Sequence, residues 1–132
     1  MREAVFKMAF EYDFDRERDL AELYGTALAE RELTDDEYMR RVFFGLAEKL
    51  TEIDPLIEKY AVGWKKERIS RVTTALLRVA IYEMLWAEIP CNIAINEALE
   101  ISKIYDDEGA KAFINGILNS VAEEKGLKVK PE

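Results

Sequence analysis

The catalytic chemistry open to this chain is limited by a side chain that it lacks. Its 132 residues include no histidine, which is the commonest general base and the commonest metal-ligating side chain in proteins. A nucleophile activated by histidine is therefore impossible. The single cysteine, Cys91, stands at the predicted start of a helix, where the helix dipole can lower a thiol pKa. Without a basic partner we expect Cys91 to serve packing, and we predict no catalytic residue and no enzyme activity.

The clustered carboxylates do not form a recognisable metal site either. The run Asp13-x-Asp15-x-Glu17 has the spacing with which a calcium-binding EF-hand loop begins. However, Arg18 stands where that loop needs glycine, and Tyr24 stands where it needs a bidentate glutamate. The sequence also contains no glycine-rich phosphate loop of the GxxxxGKS or GxGxxG kind. We therefore predict no metal site and no cofactor.

Polar residues inside apolar helical stretches indicate recognition rather than catalysis. Asn115 and Gly116 interrupt the apolar run FINGIL, and a glycine inside a helix costs about 1 kcal/mol relative to alanine. Two interpretations stay open. In the first, Asn115 forms a buried hydrogen bond between helices, with Asn96 as its partner. In the second, the segment presents Phe113 and Lys111 to a base and a phosphate, which is how single-stranded RNA is commonly held.

The framework that positions these residues is predicted to be all-α. Apolar residues recur at steps of three and four along the chain, and strand alternation is nearly absent. Thr34 and Glu37 form a predicted capping box, and Asp54-Pro55 predicts a further helix start. The spacing predicts about seven helices, which cover residues 2–12, 16–30, 34–50, 54–63, 66–86, 92–105 and 108–124.

The helices are predicted to form one domain with two packed parts. A break at Gly63-Trp64 leaves three or four helices on either side, and each half alone is near the lower size limit for an independent core. We therefore predict a single domain over residues 1–132. Its N-terminal helical sub-bundle covers about 1–62, and its C-terminal sub-bundle covers about 64–125.

Composition and charge exclude several classes of protein. Hydrophobic residues make up 49% of the chain and charged residues 35%, which is typical of a globular protein and excludes disorder. No apolar run approaches the ~18–20 residues of a membrane span, and one cysteine suits a reducing compartment, so we expect a cytoplasmic protein without membrane contact. The net charge of −8 disfavours nonspecific nucleic-acid binding. Residues 59–78, which we call the basic segment, carry six basic side chains and one acidic side chain. The segment is either a solvated linker or a local contact for an anion.

The second half of the chain carries four motifs in a fixed order. They are LRVAIYE at residues 77–83, Ile89-Pro90, AINEALEISK at residues 94–103 and FINGIL at residues 113–118. Trp64 precedes them, followed by Arg68-Ile69. Together these motifs resemble the NusB family of transcription antitermination factors. The first 60 residues resemble the family only in helical pattern and in Arg2-Glu3.

The resemblance implies an all-helical fold of two packed sub-bundles and a role in transcription. Members of the family bind the boxA element of nascent RNA together with NusE, a small basic ribosomal protein, and help RNA polymerase read through terminators. By resemblance, RNA contacts are expected at Arg2, Lys7, Lys111, Phe113 and Asn115. The NusE-type protein contact is expected at Tyr82, Glu83, Glu97 and Glu100. An acidic surface suits a basic partner and speeds association.

One departure from the family pattern concerns the start of the sequence. The family commonly has an arginine-rich arm before its first Arg-Glu, whereas this sequence begins Met1-Arg2-Glu3. Fewer phosphate contacts weaken RNA binding at moderate salt. A second hypothesis is therefore a protein-only module that keeps NusE-type binding without strong RNA contact. A third is an RNA-modifying enzyme with a NusB-like domain, although no glycine-rich cofactor loop supports it. Monomer and homodimer both stay open.

Overall fold

The computed structural model describes residues 1–64 and 69–127, and over these residues its regular structure is entirely α-helical. This confirms the predicted all-α class. No helix in the same ranges is both long enough and apolar enough to cross a lipid bilayer. The seven helices found there are α1 (Arg2–Phe14), α2 (Leu20–Glu30), α3 (Glu37–Glu48), α4 (Leu50–Tyr60), α5 (Arg71–Trp86), α6 (Cys91–Tyr105) and α7 (Ala110–Glu124).

Three helices begin after a polar residue whose side chain caps the first turn. The side chains of Asp19, Asp36 and Ser70 accept hydrogen bonds from backbone amides three residues later, at 3.0, 3.1 and 3.0 Å. Such caps satisfy amides that have no partner inside the helix. The predicted capping box of Thr34 and Glu37 is wrong, because Asp36 caps α3 and Glu37 is its first residue.

The predicted helix start at Asp54-Pro55 is also wrong. α4 begins at Leu50, and Pro55 lies inside it. The helix extends further back because Leu50 and Ile53 continue the helical spacing of buried side chains upstream of the proline. Asp54 therefore lies in the middle of the helix, where its carboxylate accepts two hydrogen bonds from Arg78 of α5, at 2.9 and 3.0 Å.

α5 is the central helix of the fold. It packs against α1, α3, α4, α6 and α7, and eleven of its sixteen residues are buried. The start predicted at residue 66 lies outside the described residues; within them the helix begins at Arg71. Because α1 and α3 pack directly on α5, helices from both halves of the chain contribute to one continuous core. The division into two sub-bundles stays a prediction.

Arg78 joins three helices from within the core. Its guanidinium donates to the Asp54 carboxylate of α4 and to the Asp13 carboxylate near the end of α1, in both cases at 2.9 Å. Burial acts to raise the pKa of Asp13, but hydrogen bonds from Arg78 and Arg16 outweigh it and lower the pKa overall. A buried guanidinium needs such partners, because leaving a buried charge unpaired costs on the order of 3–5 kcal/mol.

α3 crosses α5 at a glycine. The hydroxyl end of the buried Tyr82 ring lies against Gly45, where a β-carbon would collide with the ring. Tyr82 also stacks on Trp86, with 5.6 Å between the ring centroids, and this contact holds the ring in place. The close approach of the two helices therefore requires glycine at position 45.

We expect Gly45→Ala to lower the free energy of unfolding by about 1–3 kcal/mol, the usual cost of overpacking a core, although alanine favours a helix. Denaturant titration measures the change. Gly25→Ala in α2 is the matched control, since a β-carbon there meets nothing within 4 Å among the described residues. The control should be neutral or stabilising. In a protein that already carries Tyr82→Leu, Gly45→Ala should lower the free energy of unfolding by less, because the tyrosine ring is gone. If the loss is the same in both backgrounds, the close approach of Tyr82 to Gly45 is contradicted.

Glu124 joins α4 to α7 near the C-terminal ends of both helices. Its carboxylate accepts a hydrogen bond from Lys59 Nζ at 2.8 Å and another from the Tyr60 hydroxyl. These bonds from Lys59 and Tyr60 lower the pKa of Glu124 to about 2. The carboxylate is therefore more stable as an anion in the folded protein than in the unfolded chain.

This pairing predicts a loss of stability in acid. The ordinary pKa of the carboxyl is 4.5, and its folded-state pKa is about 2. The stabilisation is therefore complete above the ordinary pKa and is lost as pH falls through this interval. Thermal unfolding of the wild type and of Glu124→Gln should give melting temperatures that converge across the interval. Glu123→Gln, on the neighbouring exposed position, serves as control. Parallel curves for wild type and Glu124→Gln contradict the assignment.

Candidate functional site

The outward side of α7 is polar and open. Asn119 donates from its amide to the backbone oxygen of Asn115 at 2.8 Å and to the side-chain oxygen of Asn115 at 3.1 Å. The surface offers a cation, amide groups and a backbone unshielded at the glycine. Lys111 and Asn115 are both exposed, and their predicted RNA contact stays a prediction. We define the α7 face as Lys111, Asn115, Gly116 and Asn119.

Phe113 does not belong to the α7 face. Its side chain is 1% exposed, and its ring packs edge-on against Trp64, with 4.9 Å between the centroids. A base can stack only on a ring whose face is open. The prediction that Phe113 presents its ring to a base is therefore wrong. The physical reason is that α7 is amphipathic and position 113 falls on its core side.

The hydrogen bond predicted between Asn115 and Asn96 is wrong as well. Both side chains are exposed, and Asn115 is bonded to Asn119 along its own helix. Gly116 lies on the same open side. A β-carbon at Gly116 meets no atom within 4 Å in residues 1–64 and 69–127. Since a helical glycine costs about 1 kcal/mol and this one serves no contact in that part of the chain, it suits close approach by a partner from outside.

Lys7 lies on α1 beside the end of α6. Its ammonium is 3.7 Å from the Glu3 carboxylate and 5.3 Å from the centre of the Tyr105 ring. The Tyr105 hydroxyl also donates to Glu3. The Lys7 side chain is part exposed, so a phosphate can reach it. Its predicted RNA contact stays a prediction.

Arg2 and Glu83, which were expected to serve different partners, bind each other. Arg2 Nε donates to the Glu83 carboxylate at 2.7 Å, and the Tyr38 hydroxyl donates to the same oxygen. Burial raises the pKa of Glu83, while the bonds from Tyr38 and Arg2 act to lower it. Glu83 is only 1% exposed. The prediction that it meets a protein partner at the surface is therefore wrong; instead it joins α1 and α3 to α5.

The remaining residues of the expected protein contact divide between core and surface. Tyr82 is buried against Gly45, so its predicted surface contact is wrong. Glu97 is half-buried and Glu100 is exposed, both on α6, and their role stays a prediction. Two exposed apolar residues of the same helix lie at helical spacing from them. We define the α6 face as Ile93, Glu97, Glu100 and Ile104.

Cys91 is buried at the start of α6, and its thiol donates to the Leu127 carbonyl oxygen at 3.3 Å. Burial raises the pKa of the Cys91 thiol, which disfavours the reactive thiolate. The environment agrees with the packing role expected from the sequence. In the part of the chain that the structure describes, no group of carboxylates and cysteine is placed to hold a metal ion.

Three basic side chains of the basic segment lie among the described residues, and each of them pairs with a carboxylate. Lys59 pairs with Glu124 at the surface. Arg78 pairs with Asp13 and Asp54 in the core. Arg71 pairs with Asp13 but keeps 57% of its side chain exposed. Three further basic residues lie outside the described residues: Lys65, Lys66 and Arg68. Of the described members, Lys59 is 59% exposed and Arg71 57%, so both remain accessible to an anion although each is paired with a carboxylate.

Asn119 of the α7 face and Tyr38, which bonds Glu83, were not predicted from the sequence. Asn119 follows Asn115 by four residues, a spacing that places both on one helix side, so a signal for it existed. Tyr38 is 45 residues from Glu83 along the chain. No local pattern connects such a pair, and only the packing of α3 on α5 brings it together.

Comparisons with known sequences agree with one another. The model of the NusB family matches residues 1–123. Transcription antitermination protein NusB of Thermoanaerobacter sp. (strain X514) is 39% identical over 128 residues, which cover 96% of this chain and 91% of that protein. The protein of the same name from Bacillus pumilus (strain SAFR-032) is 35% identical and covers 91% of this chain and 90% of its own length.

Comparisons with solved structures give the same result. NusB of T. maritima superimposes with a TM-score of 0.81 at 40% sequence identity, covering 93% of this chain and 88% of that one. A crystal structure of antitermination factors NusB and NusE in complex with dsRNA superimposes with a TM-score of 0.82 at 22% identity, covering 93% of each chain. At that identity the second likeness shows the fold alone.

The ion pair between the partly exposed Arg2 and the buried Glu83 predicts strong coupling between the two residues. We expect Arg2→Met to lower the free energy of unfolding by about 3 kcal/mol, because it leaves the Glu83 carboxylate buried beside Tyr38 alone. Adding Glu83→Gln should recover much of that loss. Denaturant unfolding of the single and double variants gives the coupling energy. Lys7→Met, on the same helix, is the control; strictly additive effects contradict the pair.

Proposed function

Because the chain belongs to the NusB family, we propose that it acts as a transcription antitermination factor, which binds boxA-type RNA together with NusE. In this role it modulates elongation and termination by RNA polymerase, which it meets indirectly through the RNA and NusE. The proposal places the protein in a bacterial cytoplasm and involves binding without a catalytic step. The match of the family model to residues 1–123 supports it.

The observation that carries the RNA part of the proposal is the α7 face. Lys111 provides a cation for phosphate, and Asn115 with Asn119 provides amide donors and acceptors for base edges or sugar hydroxyls. Gly116 lets a ribose-phosphate chain approach the helix backbone closely. A surface with these properties suits single-stranded RNA, although the chain as a whole is acidic.

The α6 face supports the NusE part of the proposal. Glu97 and Glu100 supply carboxylates, and the exposed Ile93 and Ile104 lie at either end of the same helix side. Carboxylates attract a basic ribosomal protein, and apolar side chains beside them give the complex area to bury. Because α6 and α7 pack together, both partners can bind neighbouring helices at once.

A protein-only interaction module is the second candidate. The pairing of Arg2 with Glu83 and the burial of Phe113 favour it, since both residues were expected to contact RNA. In this candidate the α6 face still binds NusE, while the α7 face contributes little affinity for RNA. The two candidates differ in whether RNA strengthens the complex with NusE.

Gly116→Leu separates RNA contact from folding. Leucine should stabilise α7 by up to about 1 kcal/mol, because it favours a helix more than glycine does. It should weaken the binding of labelled boxA RNA about tenfold or more, because its side chain occupies the space that the RNA needs. Lys111→Gln should weaken binding and reduce the salt dependence by about one phosphate contact. Fluorescence anisotropy with and without NusE, over a range of salt concentrations, measures both effects.

Gly25→Leu is the matched control, because Gly25 is an exposed glycine on α2, whereas the two faces are on α6 and α7. It should leave RNA affinity unchanged. If the protein binds boxA RNA neither alone nor with NusE at low salt, the antitermination proposal is wrong. If calorimetry shows NusE binding that RNA does not strengthen, the protein-only module is the correct candidate.

A further inference from the structure

The side-chain amide of Asn119 is oriented by a backbone atom. Asn119 lies on α7 four residues after Asn115, and its Nδ2 donates to the Asn115 backbone oxygen at 2.8 Å. A carbonyl oxygen only accepts hydrogen bonds, so the end of the Asn119 amide that faces it is the NH2 group. This group has two hydrogens, and it also donates to the Asn115 side-chain oxygen, at 3.1 Å. The backbone of α7 therefore determines which way the Asn119 amide points.

Asn119 in turn determines the orientation of the Asn115 amide. If that amide were turned over, its NH2 group would face the NH2 group of Asn119, and two donors repel each other. The Asn115 atom held by Asn119 is therefore its side-chain oxygen. The Nδ2 of Asn115 lies on the other side of the planar amide. Since Asn115 is exposed, these two N–H groups can donate to a molecule in solution.

The donor of Asn115 stands in line with a second donor on α7. Lys111 precedes Asn115 by four residues and is also exposed, so the two side chains start about 6 Å apart along the helix axis. An ammonium group, like the Nδ2 of Asn115, only donates. Gly116 beside them leaves room for a close approach, because a β-carbon there meets no atom within 4 Å among the described residues. A molecule at this place therefore needs acceptors.

We propose that Asn119 is a positioning residue, which fixes the Asn115 amide as a donor so that the α7 face selects a keto base over an amino base at one position of the RNA. The inference rests on the proposed RNA-binding function and names the class of base that this site takes. Uracil and guanine carry a carbonyl oxygen where cytosine and adenine carry an amino group. A fixed N–H donor binds that oxygen, whereas it meets the hydrogens of an amino group unfavourably.

The selection depends on Asn119 because asparagine alone is ambiguous. A free Asn115 amide could turn over and offer either its oxygen or its nitrogen, so it would accept from an amino base as readily as it donates to a keto base. The bond from Asn119 occupies the oxygen and removes this choice. Lys111 supplies the charge for a phosphate, which leaves the neutral amide of Asn115 for a base.

Asn119→Asp tests the mechanism by reversing the Asn115 amide. The new side chain has nearly the same shape, but a carboxylate only accepts. It should therefore attract the Nδ2 of Asn115 and turn the side-chain oxygen outward. Asn119→Ala is the second variant, in which the Asn115 amide is free to turn. The probes are labelled boxA RNA and versions of it in which one keto base at a time is replaced by its amino counterpart, cytidine for uridine or adenosine for guanosine.

Fluorescence anisotropy with NusE present gives the Kd of each probe for the full chain. At one position we expect the wild type to prefer the keto base about three- to tenfold, which corresponds to one hydrogen bond. At that position the ratio should approach one in Asn119→Ala and fall below one in Asn119→Asp. Ser120→Asp is the matched control, because it adds the same charge at the neighbouring position of α7. It should weaken binding of all probes alike and leave the ratio unchanged.

The outcomes separate this inference from the proposed function. A wild type that binds no boxA RNA, with or without NusE, contradicts the proposed function. A wild type that binds, with keto preferences that Asn119→Ala leaves unchanged at every position, contradicts only the inference. Weaker binding by Asn115→Ala without any base preference would assign the Asn115 amide to phosphate or ribose, which also overturns the inference.

A sulfur substitution at the identified base checks the bond itself. 4-Thiouridine or 6-thioguanosine replaces the carbonyl oxygen by sulfur, which is a weaker acceptor. This replacement should weaken binding by the wild type, whose fixed donor needs the oxygen, and should weaken binding by Asn119→Ala less. An equal loss in both proteins would mean that a group other than the Asn115 amide reads this base, and the inference would be wrong.

Discussion

The rest of the structure depends on the requirement that α5 carry two charged side chains through the core. Arg78 and Glu83 lie on a helix buried on most sides, and an unpaired charge there would destabilise the fold strongly. Arg78 obtains its carboxylates from α1 and α4. Glu83 obtains its donors from Arg2 of α1 and from Tyr38 of α3. These pairings determine how the N-terminal helices lie on the central one.

This arrangement leaves the outward sides of α6 and α7 exposed, and the proposed function places its contacts there. The motifs that identify the family contain residues buried in the core as well as residues at the surface. Four motif residues are buried and help to determine the fold: Arg78, Tyr82, Glu83 and Phe113. Other motif residues reach the surface in whole or in part: Asn115, Gly116, Glu97 and Glu100. The proposed function depends on these and on Lys111, which stands two residues before FINGIL. A family motif therefore does not by itself distinguish a residue that binds a partner from one that fills the core.

An acidic protein can bind RNA when an accessible cation lies beside amide groups and an unshielded backbone. Part of the positive charge is paired with carboxylates, at the surface between Lys59 and Glu124 and in the core between Arg78 and Asp13. The proposed interface therefore relies on close backbone approach and hydrogen bonding, with a smaller part from phosphate neutralisation. Such an interface depends less on salt than one built from a basic patch.

The sequence by itself determined the helical class, most helix positions, the absence of a histidine-based site and the family, because these follow from local periodicity, composition and contiguous motifs. It also singled out Lys111 for a surface contact and left two interpretations open for Asn115. Only the tertiary structure decided that Phe113 faces the core, that Glu83 binds Arg2, and that Phe14 meets Arg71. The reason is physical: burial and ion pairing depend on which helix sides face each other, and residues 57 or 81 positions apart carry no local signal of their contact.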